Sequence, residues 1–143
     1  METKARFKSI IPIQVRFSDV DMMGHVSNTQ YQNYYDSGKV DYFDNVLPEL
    51  DFKEIGVVGA SIKIDYLKPI YMKTRLLVET RVAVLGHKSL TMEHYLLDAR
   101  TKEVLSTCTA VLVCYCIQAQ QSIPIPDSWR EKILAFDEGV VLK

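Results

Sequence analysis

The sequence has no long apolar run, almost no net charge and few cysteines, and each absence excludes a class of protein. Its apolar stretches have the length of a β-strand, too short to cross a membrane as a helix. With 17 Lys and Arg against 18 Asp and Glu, the chain has no cationic field that would attract nucleic acid. Residues 1–8 are charged and contain no apolar signal segment, so we expect a cytoplasmic protein with no membrane or nucleic-acid partner.

Metal and cofactor signatures are also missing. Cys108, Cys114 and Cys116 lack the paired spacings of a zinc site, so we expect reduced, buried cysteines and no metal. A redox or metal role is the less favoured alternative. The chain has neither a P-loop nor a dinucleotide fingerprint, and no cofactor is predicted.

The composition that remains is that of an ordinary globular protein. Hydrophobic residues make up 48% of the 143 residues and charged residues 24%, far from the composition of a disordered chain. There are no repeats, linkers or low-complexity segments. We therefore predict a single domain spanning residues 1–143.

The first third of the chain predicts a strand followed by one long helix. Residues 9–18 alternate apolar and polar side chains, with Phe17 on the apolar side, and Pro12 favours an edge strand. A period near 3.6 then runs as far as Pro48, and Ser27 with Gln30 matches a capping box at its start. Gly38, in mid-helix, costs about 1 kcal/mol relative to Ala, which is tolerable if the helix approaches a sheet closely there.

The rest of the chain predicts four long strands and a short helix. The strands cover about 57–67, 72–85, 88–99 and 103–117, and their short connections favour antiparallel pairing. The apolar residues of the terminal helix that we expect to pack on the body are Trp129, Ile133, Leu134 and Phe136. The predicted fold class is α+β, with a long central helix wrapped by a curled five-stranded antiparallel sheet.

The densest group of functional side chains lies in residues 19–28, between the first strand and the helix. A helix start presents amide N–H groups without intrahelical partners and carries partial positive charge, which suits a developing oxyanion. A carboxylate beside it, such as Asp21, serves as a nucleophile or as a general base toward water. Gly24 allows backbone to approach a substrate. Together these are the parts for acyl transfer.

The same residues carry a family resemblance. The run from Val15 to Asp36 resembles the D-x-D-x-x-G-H-V-x-N-x-x-Y signature of the 4-hydroxybenzoyl-CoA thioesterase-like branch of the hotdog superfamily. The segment from Ile62 to Pro69 resembles the Y-L-x-P segment on that family's second strand. The strand order agrees as far as Ile117, so the resemblance covers most of the chain.

The resemblance implies an acyl-CoA thioesterase without a cofactor. Asp21 then attacks the thioester carbonyl or activates water, the amide near Asn28 polarises the carbonyl oxygen, and His25 supports the site. The family also implies a homodimer or a dimer of dimers, in which the second strand approaches the partner's Asp21 loop. The substrate-binding residues that we expect are Gly24, Val26, Tyr31, Gly59, Ala60 and Ser61.

Each assignment has a structural alternative. Asp19 and Asp21 both suit an Asx turn, and this is the preferred interpretation of Asp19. His25 suits a packing role at the base of the loop. The Asn28 side chain suits a structural role in which it holds the loop in place. The related plant acyl-carrier-protein thioesterases have Asn where this chain has Met23. We therefore do not expect their complete mechanism to apply to this chain.

The remaining polar residues receive weaker interpretations. Asp36 is interpreted as structural, and His87 and His94 are assigned no function. Candidate partners for CoA phosphates are Lys63, Lys68, Lys73, Arg75 and Lys88. An acyl-carrier-protein thioesterase and a non-catalytic acyl-CoA-binding module are the alternative functions.

Overall fold

The computed structural model describes residues 7–143, with one long helix, a shorter C-terminal helix and one sheet. A single 3-10 turn, Phe17–Asp19, separates the first strand from the long helix. The elements are β1 (Ser9–Ile13), α1 (Asn28–Val46), β2 (Ile55–Tyr66), β3 (Leu76–Leu85), β4 (Ser89–Asp98), β5 (Val104–Cys116), β6 (Gln121–Ser122), α2 (Asp127–Phe136) and β7 (Val141–Leu142).

The sheet has the strand order β1-β3-β4-β5-β2, and all four of these pairings are antiparallel. These are the five strands that the sequence predicts, and β1 is the edge strand expected from Pro12. The predicted total of five is wrong, because two-residue strands extend the sheet to seven. Of these, β6 pairs with β5, and β7 lies parallel to β3. Such short strands have no periodicity to detect.

Two predicted strands, β1 and β3, are much shorter than expected, whereas β4 and β5 differ from the prediction only by one residue at each end. β1 ends at Ile13, and Phe17 lies in the 3-10 turn with 86% of its surface exposed, so its predicted place on the buried side is wrong. β3 begins only at Leu76, because Thr74 donates its amide to the carbonyl of Tyr71 and closes a turn. Local hydrogen bonds override the apolar pattern at both places.

Ser27 occupies the N-cap position of α1, but the predicted capping box does not form. The Ser27 hydroxyl bonds the hydroxyl of Thr29 at 3.1 Å, and the Gln30 side chain accepts from Asn33 at 2.9 Å. Neither side chain reaches the amides of the first turn. The start of α1 therefore has no side-chain cap.

The buried face of α1 packs on one face of the sheet, mainly against β3 and β1, and Gly38 sets how closely. A Cβ atom at Gly38 would lie 2.6 Å from Thr80 Oγ1 and 3.1 Å from Val78 Cγ2, both on β3. This confirms the close approach expected from a glycine in mid-helix. The buried positions of α1 are Tyr31, Tyr34, Tyr35, Gly38, Tyr42, Phe43 and Val46.

The C-terminal region closes one end of the core. Trp129 and Ile133 of α2 are buried as predicted, whereas Leu134 is 43% exposed. Asp137 accepts hydrogen bonds from the Tyr42 hydroxyl at 2.6 Å and from the Val82 amide at 2.9 Å, and thereby ties the chain end to α1 and β3.

The three cysteines are free thiols; Cys108 and Cys114 are buried, and Cys116 is half-buried. Burial raises the pKa of the Cys108 thiol to about 12. Neither helix described for residues 7–143 is long and apolar enough to span a membrane.

One buried polar pair lies beneath the middle of α1. His94 of β4 is 2% exposed, and its Nδ1 lies 2.9 Å from the hydroxyl of Thr80 on β3. Burial, with a smaller contribution from the charge of Lys39, lowers the pKa of His94 to about 4. The ring is therefore neutral at neutral pH.

Substituting Gly38→Ala is expected to destabilise the protein by about 1–3 kcal/mol. The new methyl group overlaps Thr80 Oγ1, and this overpacking outweighs the gain of about 1 kcal/mol in helix propensity. Urea unfolding measures the change. Ser37→Ala, at an exposed neighbouring position, is the control. In a double-mutant cycle, Thr80→Ala should reduce the penalty of Gly38→Ala, and purely additive effects would contradict the contact.

The free energy of unfolding should fall as the pH drops from about 6.5 toward 4. Unfolded His94 regains its ordinary pKa of 6.5, so between these values the unfolded state binds more protons, and the loss is on the order of 3 kcal/mol. Urea unfolding across this range should show a flatter profile for His94→Gln. The exposed-site variant His87→Gln should retain the wild-type slope.

Candidate active site

Residues 20–26 form a short hairpin in front of α1. Val20 bridges Val26, the Asp21 amide donates to the His25 carbonyl at 3.0 Å, and the Gly24 amide donates to the Asp21 carbonyl at 3.0 Å. Gly24 adopts φ of +88°, which favours glycine, and no atom lies within 4 Å of where its Cβ would stand. The hairpin tip is thus held in shape and open above Gly24.

Asp19 anchors the base of this hairpin. Its side chain is 2% exposed and accepts hydrogen bonds from the Arg16 amide at 3.0 Å and from the Tyr34 hydroxyl at 2.7 Å. Its carbonyl accepts from the Ser27 amide at 2.9 Å. Burial and the bond to Asp19 raise the pKa of Tyr34 far above its usual value of 10. These contacts favour the structural interpretation of Asp19.

Asp21 is exposed at the hairpin tip. Its Oδ1 accepts a hydrogen bond from the Met23 amide at 2.9 Å, which is an Asx turn. Its Oδ2 makes no hydrogen bond to any part of the chain between residues 7 and 143. The turn orients the carboxylate through one oxygen and leaves the other free, so the structural and chemical interpretations of Asp21 are compatible.

The start of α1 supplies unpaired amide groups. Ser27 and Gln30 donate their amides to backbone carbonyls, and no acceptor within residues 7–143 is found for the amides of Asn28 and Thr29. Tyr66 from β2 contacts the first turn, where its hydroxyl donates to the Asn28 carbonyl at 3.5 Å. Partial positive charge accumulates at such an end and favours a negatively charged oxygen.

Three of the predicted residues support the hairpin from below or beside it. Val26 is 1% exposed and Tyr31 2% exposed, and both belong to the core cluster under the loop. Burial raises the pKa of Tyr31. His25 is half-buried, bridges Tyr71 through its backbone and places its ring edge-on to that of Tyr71 at 6.5 Å. All three make packing contacts, and the predicted catalytic role of His25 and substrate contacts of Val26 and Tyr31 stay predictions.

Gly59, Ala60 and Ser61 lie elsewhere in the same chain. Ala60 is the extra residue of a β-bulge, since Gly59 pairs with Leu112 and Ser61 with Val111. All three residues line a cleft of about 260 Å³ opposite the middle of α1. No residue of the hairpin lines this cleft. Their predicted approach to the hairpin of a partner chain stays a prediction.

The cleft contains a residue that the sequence analysis assigned no function, His94. The strand periodicity could have identified His94 as a buried residue, because alternation along β4 places it on the same face as Met92 and Leu96. Asp36 and Lys39 line the same cleft and form an ion pair at 3.4 Å. A carboxylate, an amine and an imidazole therefore meet there.

Two of the candidate CoA-phosphate ligands already have anionic partners. Lys63 lies 3.3 Å from Asp65, and Lys68 lies 2.7 Å from Glu103. Both pairs are exposed, so they contribute little to stability and separate easily. Within the part of the chain that the structure covers, no three His, Cys, Asp or Glu side chains are grouped to hold a metal ion.

Solved structures closely resemble this fold. A thioesterase from Thermus thermophilus, complexed with coenzyme A and Zn, is 31% identical, with a TM-score of 0.80 covering 91% of this chain and 94% of that one. The PA5185 protein from Pseudomonas aeruginosa strain PAO1 is 26% identical, with a TM-score of 0.83 covering 94% of each chain.

Sequence comparison gives the same relationship. The protein YsmA of Bacillus subtilis (strain 168) is 28% identical over 133 residues, which are 93% of this chain and 90% of YsmA. The profile of the thioesterase-like superfamily matches residues 15–133. This match begins just after β1 and includes the hairpin, α1, the four long strands β2 to β5 and most of α2. The predicted family resemblance is confirmed: the chain has the hotdog fold and belongs to the thioesterase-like superfamily.

Proposed function

We propose that this protein is an acyl-CoA thioesterase, which hydrolyses its substrate to a free acid and CoA. One observation carries the proposal: an exposed carboxylate, held by an Asx turn, precedes a helix whose first amides have no side-chain cap. Asp21 supplies the carboxylate, and Asn28 and Thr29 supply the amides. A nucleophile or general base and a group that stabilises the oxyanion together can catalyse acyl transfer.

Two chemical routes are compatible with this arrangement. In the first, an Asp21 oxygen attacks the thioester carbonyl, the CoA thiolate leaves, and water then hydrolyses the mixed anhydride. In the second, Asp21 takes a proton from water as the water attacks the carbonyl, the tetrahedral intermediate then expels the CoA thiolate, and the proton passes to that thiolate. In both routes the carbonyl oxygen becomes negative and accepts hydrogen bonds from the helix amides.

The preference for CoA rests on a relative. The Thermus thermophilus thioesterase was crystallised with coenzyme A, and it is 31% identical over nearly the whole chain. An acyl-carrier-protein thioesterase and a non-catalytic acyl-CoA-binding module are the alternatives. Matched acyl-CoA and acyl-carrier-protein substrates separate the first alternative, and binding without hydrolysis separates the second.

The proposed enzyme acts as a homodimer, or as a dimer of dimers, joined through β2. This strand has 12 residues and, within residues 7–143, pairs only with β5, so its other edge is open to a second copy. Val58, Ile62 and Tyr66 on β2 are each more than 40% exposed. A long open edge with apolar side chains favours strand pairing between chains.

Substituting Asp21→Asn should lower kcat/KM by about 100-fold or more, because the amide can neither attack a carbonyl nor accept a proton from water. Release of thiol from an acyl-CoA panel measures the rate. Stability should change by less than about 0.5 kcal/mol, since the Asn oxygen can still accept from the Met23 amide.

The matched control is Asp51→Asn. Asp51 is also exposed and makes the same Asx turn, with the Lys53 amide at 3.0 Å, but it follows α1 instead of preceding it. This variant should retain wild-type rates. Equal hydrolysis by the Asp21 variant would remove Asp21 from the mechanism, and a wild-type protein inactive on every thioester would favour the binding module.

The dimer is tested by placing a charge on the open edge. Val58→Lys should raise the dimer dissociation constant by about tenfold or more, because an edge lysine opposes strand pairing. Sedimentation velocity measures the assembly state. Ile10→Lys places the same charge on β1, the opposite edge, where Ile10 is 46% exposed. This control should leave the dimer intact, and a monomeric wild type would contradict the proposal.

A further inference from the structure

Two tyrosines of α1 each bind a buried aspartate from another part of the chain. The Tyr34 hydroxyl donates to Asp19 Oδ2 at 2.7 Å, and the Tyr42 hydroxyl donates to Asp137 Oδ2 at 2.6 Å. All four side chains are buried. Asp137 lies just after α2, whereas Asp19 lies at the base of the hairpin that carries Asp21. Only the first of the two pairs therefore joins α1 to the candidate active site.

Asp19 connects this hydrogen bond to Asp21 through the backbone of the hairpin. The Asp19 carbonyl accepts the Ser27 amide at 2.9 Å, and the next residue, Val20, bridges Val26. Asp21 follows directly in the sequence, and its own amide donates within the hairpin at 3.0 Å. The Asp21 carboxylate therefore lies only two residues from a side chain that is bonded to α1.

The bond from Tyr34 holds the hairpin at a point away from the helix start. Tyr34 follows Asn28 by nearly two helical turns, which is about 9 Å along the axis. Between α1 and residues 16–26, as the structure describes them, it makes the only side-chain hydrogen bond. Without it, the hairpin would be joined to this end of α1 by the backbone bond at Ser27 and by apolar contacts of Val26, which are not directional. Two bonds separated along the helix define the orientation of the hairpin, and one bond does not.

The Tyr34 hydroxyl keeps its proton at neutral pH. Burial, with a smaller contribution from the bond to Asp19, raises the pKa of Tyr34 far above its usual value of 10. The accepting oxygen, Oδ2 of Asp19, also receives the Arg16 amide at 3.0 Å, so two donors fix its position. The pair is therefore suited to hold the hairpin in place and not to transfer a proton.

We infer that Tyr34 is a positioning residue for thioester hydrolysis and acts through Asp19. The pair holds the Asp21 carboxylate at a fixed distance from the free amides at the start of α1. This inference rests on the proposed thioesterase function and adds a residue that neither touches the substrate nor reacts. Misplacing a reacting group by about 1 Å can cost up to about 100-fold in rate, so the contact should affect the chemical step more than substrate binding.

Substituting Tyr34→Phe removes the hydroxyl and keeps the ring. This variant should lower kcat about tenfold, while KM changes by less than about twofold, because the hairpin loses its orientation and not its contact with the substrate. Release of thiol from the acyl-CoA that wild type cleaves fastest measures both constants.

The matched control is Tyr42→Phe, which loses an equivalent bond to a buried aspartate further along α1. Both variants should lower Tm by a similar amount, about 5 °C, because each loses one hydrogen bond to a carboxylate. Tyr42→Phe should nevertheless retain the wild-type kcat. An unchanged kcat for Tyr34→Phe, or an equal loss of kcat in both variants, would overturn the inference.

Variants of Asp19 distinguish a hydrogen-bonding role from a role of its charge. Asp19→Asn keeps an oxygen that can accept from Tyr34 and should retain kcat within about threefold, whereas Asp19→Ala should lower kcat tenfold or more. In the Asp19→Ala protein, Tyr34→Phe should cause no further loss of kcat, because its partner is already absent. A further tenfold loss there, or equal losses for the Asn and Ala variants, would contradict the inference. If Asp19→Ala does not fold, the comparison of Tyr34→Phe with Tyr42→Phe still decides.

Amide hydrogen exchange, measured by NMR without substrate, separates this inference from the proposed function. The amides of Asp21 and Ser27, which bond within and beneath the hairpin, should exchange about tenfold faster in Tyr34→Phe and at the wild-type rate in Tyr42→Phe. If wild type cleaves no thioester but these amides respond as expected, the proposed function fails and the positioning contact stands. If wild type cleaves thioesters and the amides do not respond, the function stands and the role of Tyr34 is overturned.

Discussion

The close approach of α1 to β3 at Gly38 is the constraint on which the rest of the structure depends. A methyl group at this position would meet the Thr80 hydroxyl at 2.6 Å, so only glycine allows the helix to lie this low on the sheet. The same hydroxyl holds His94 at 2.9 Å. The contact between Gly38 and Thr80 thus sets the distance between α1 and the sheet, and the Thr80 hydroxyl also orients the His94 ring.

The hairpin before α1 depends on a second set of contacts, centred on Asp19. This buried carboxylate receives the Tyr34 hydroxyl at 2.7 Å, and its carbonyl receives the amide of Ser27. The hairpin and the helix start are therefore fixed relative to each other. Asp21, two residues further on, remains exposed with one free oxygen. Of the two neighbouring aspartates, Asp19 has a structural role and Asp21 has a carboxylate that a substrate can reach.

Much of the fold follows from periodicity. The buried tyrosines of α1, the edge position of Pro12 and the antiparallel order of the long strands were all predicted, because burial imposes periods of 3.6 and 2 on side chains. Local hydrogen bonding was not predictable in the same way. Ser27 and Gln30 match a capping box in sequence, yet each bonds a different polar side chain, because several partners compete within one turn.

The sequence by itself determined the family, the helix that carries the site and the candidacy of Asp21, since these depend on local pattern and spacing. Only the tertiary structure decided that Asp19 is buried while Asp21 is exposed, because the two share one chemistry and differ only in what packs on them. It also placed His94 beneath α1, where its ring lies 5.3 Å from that of Tyr35, although the two are far apart in the chain. Sheet register sets that neighbourhood, and no single segment encodes it.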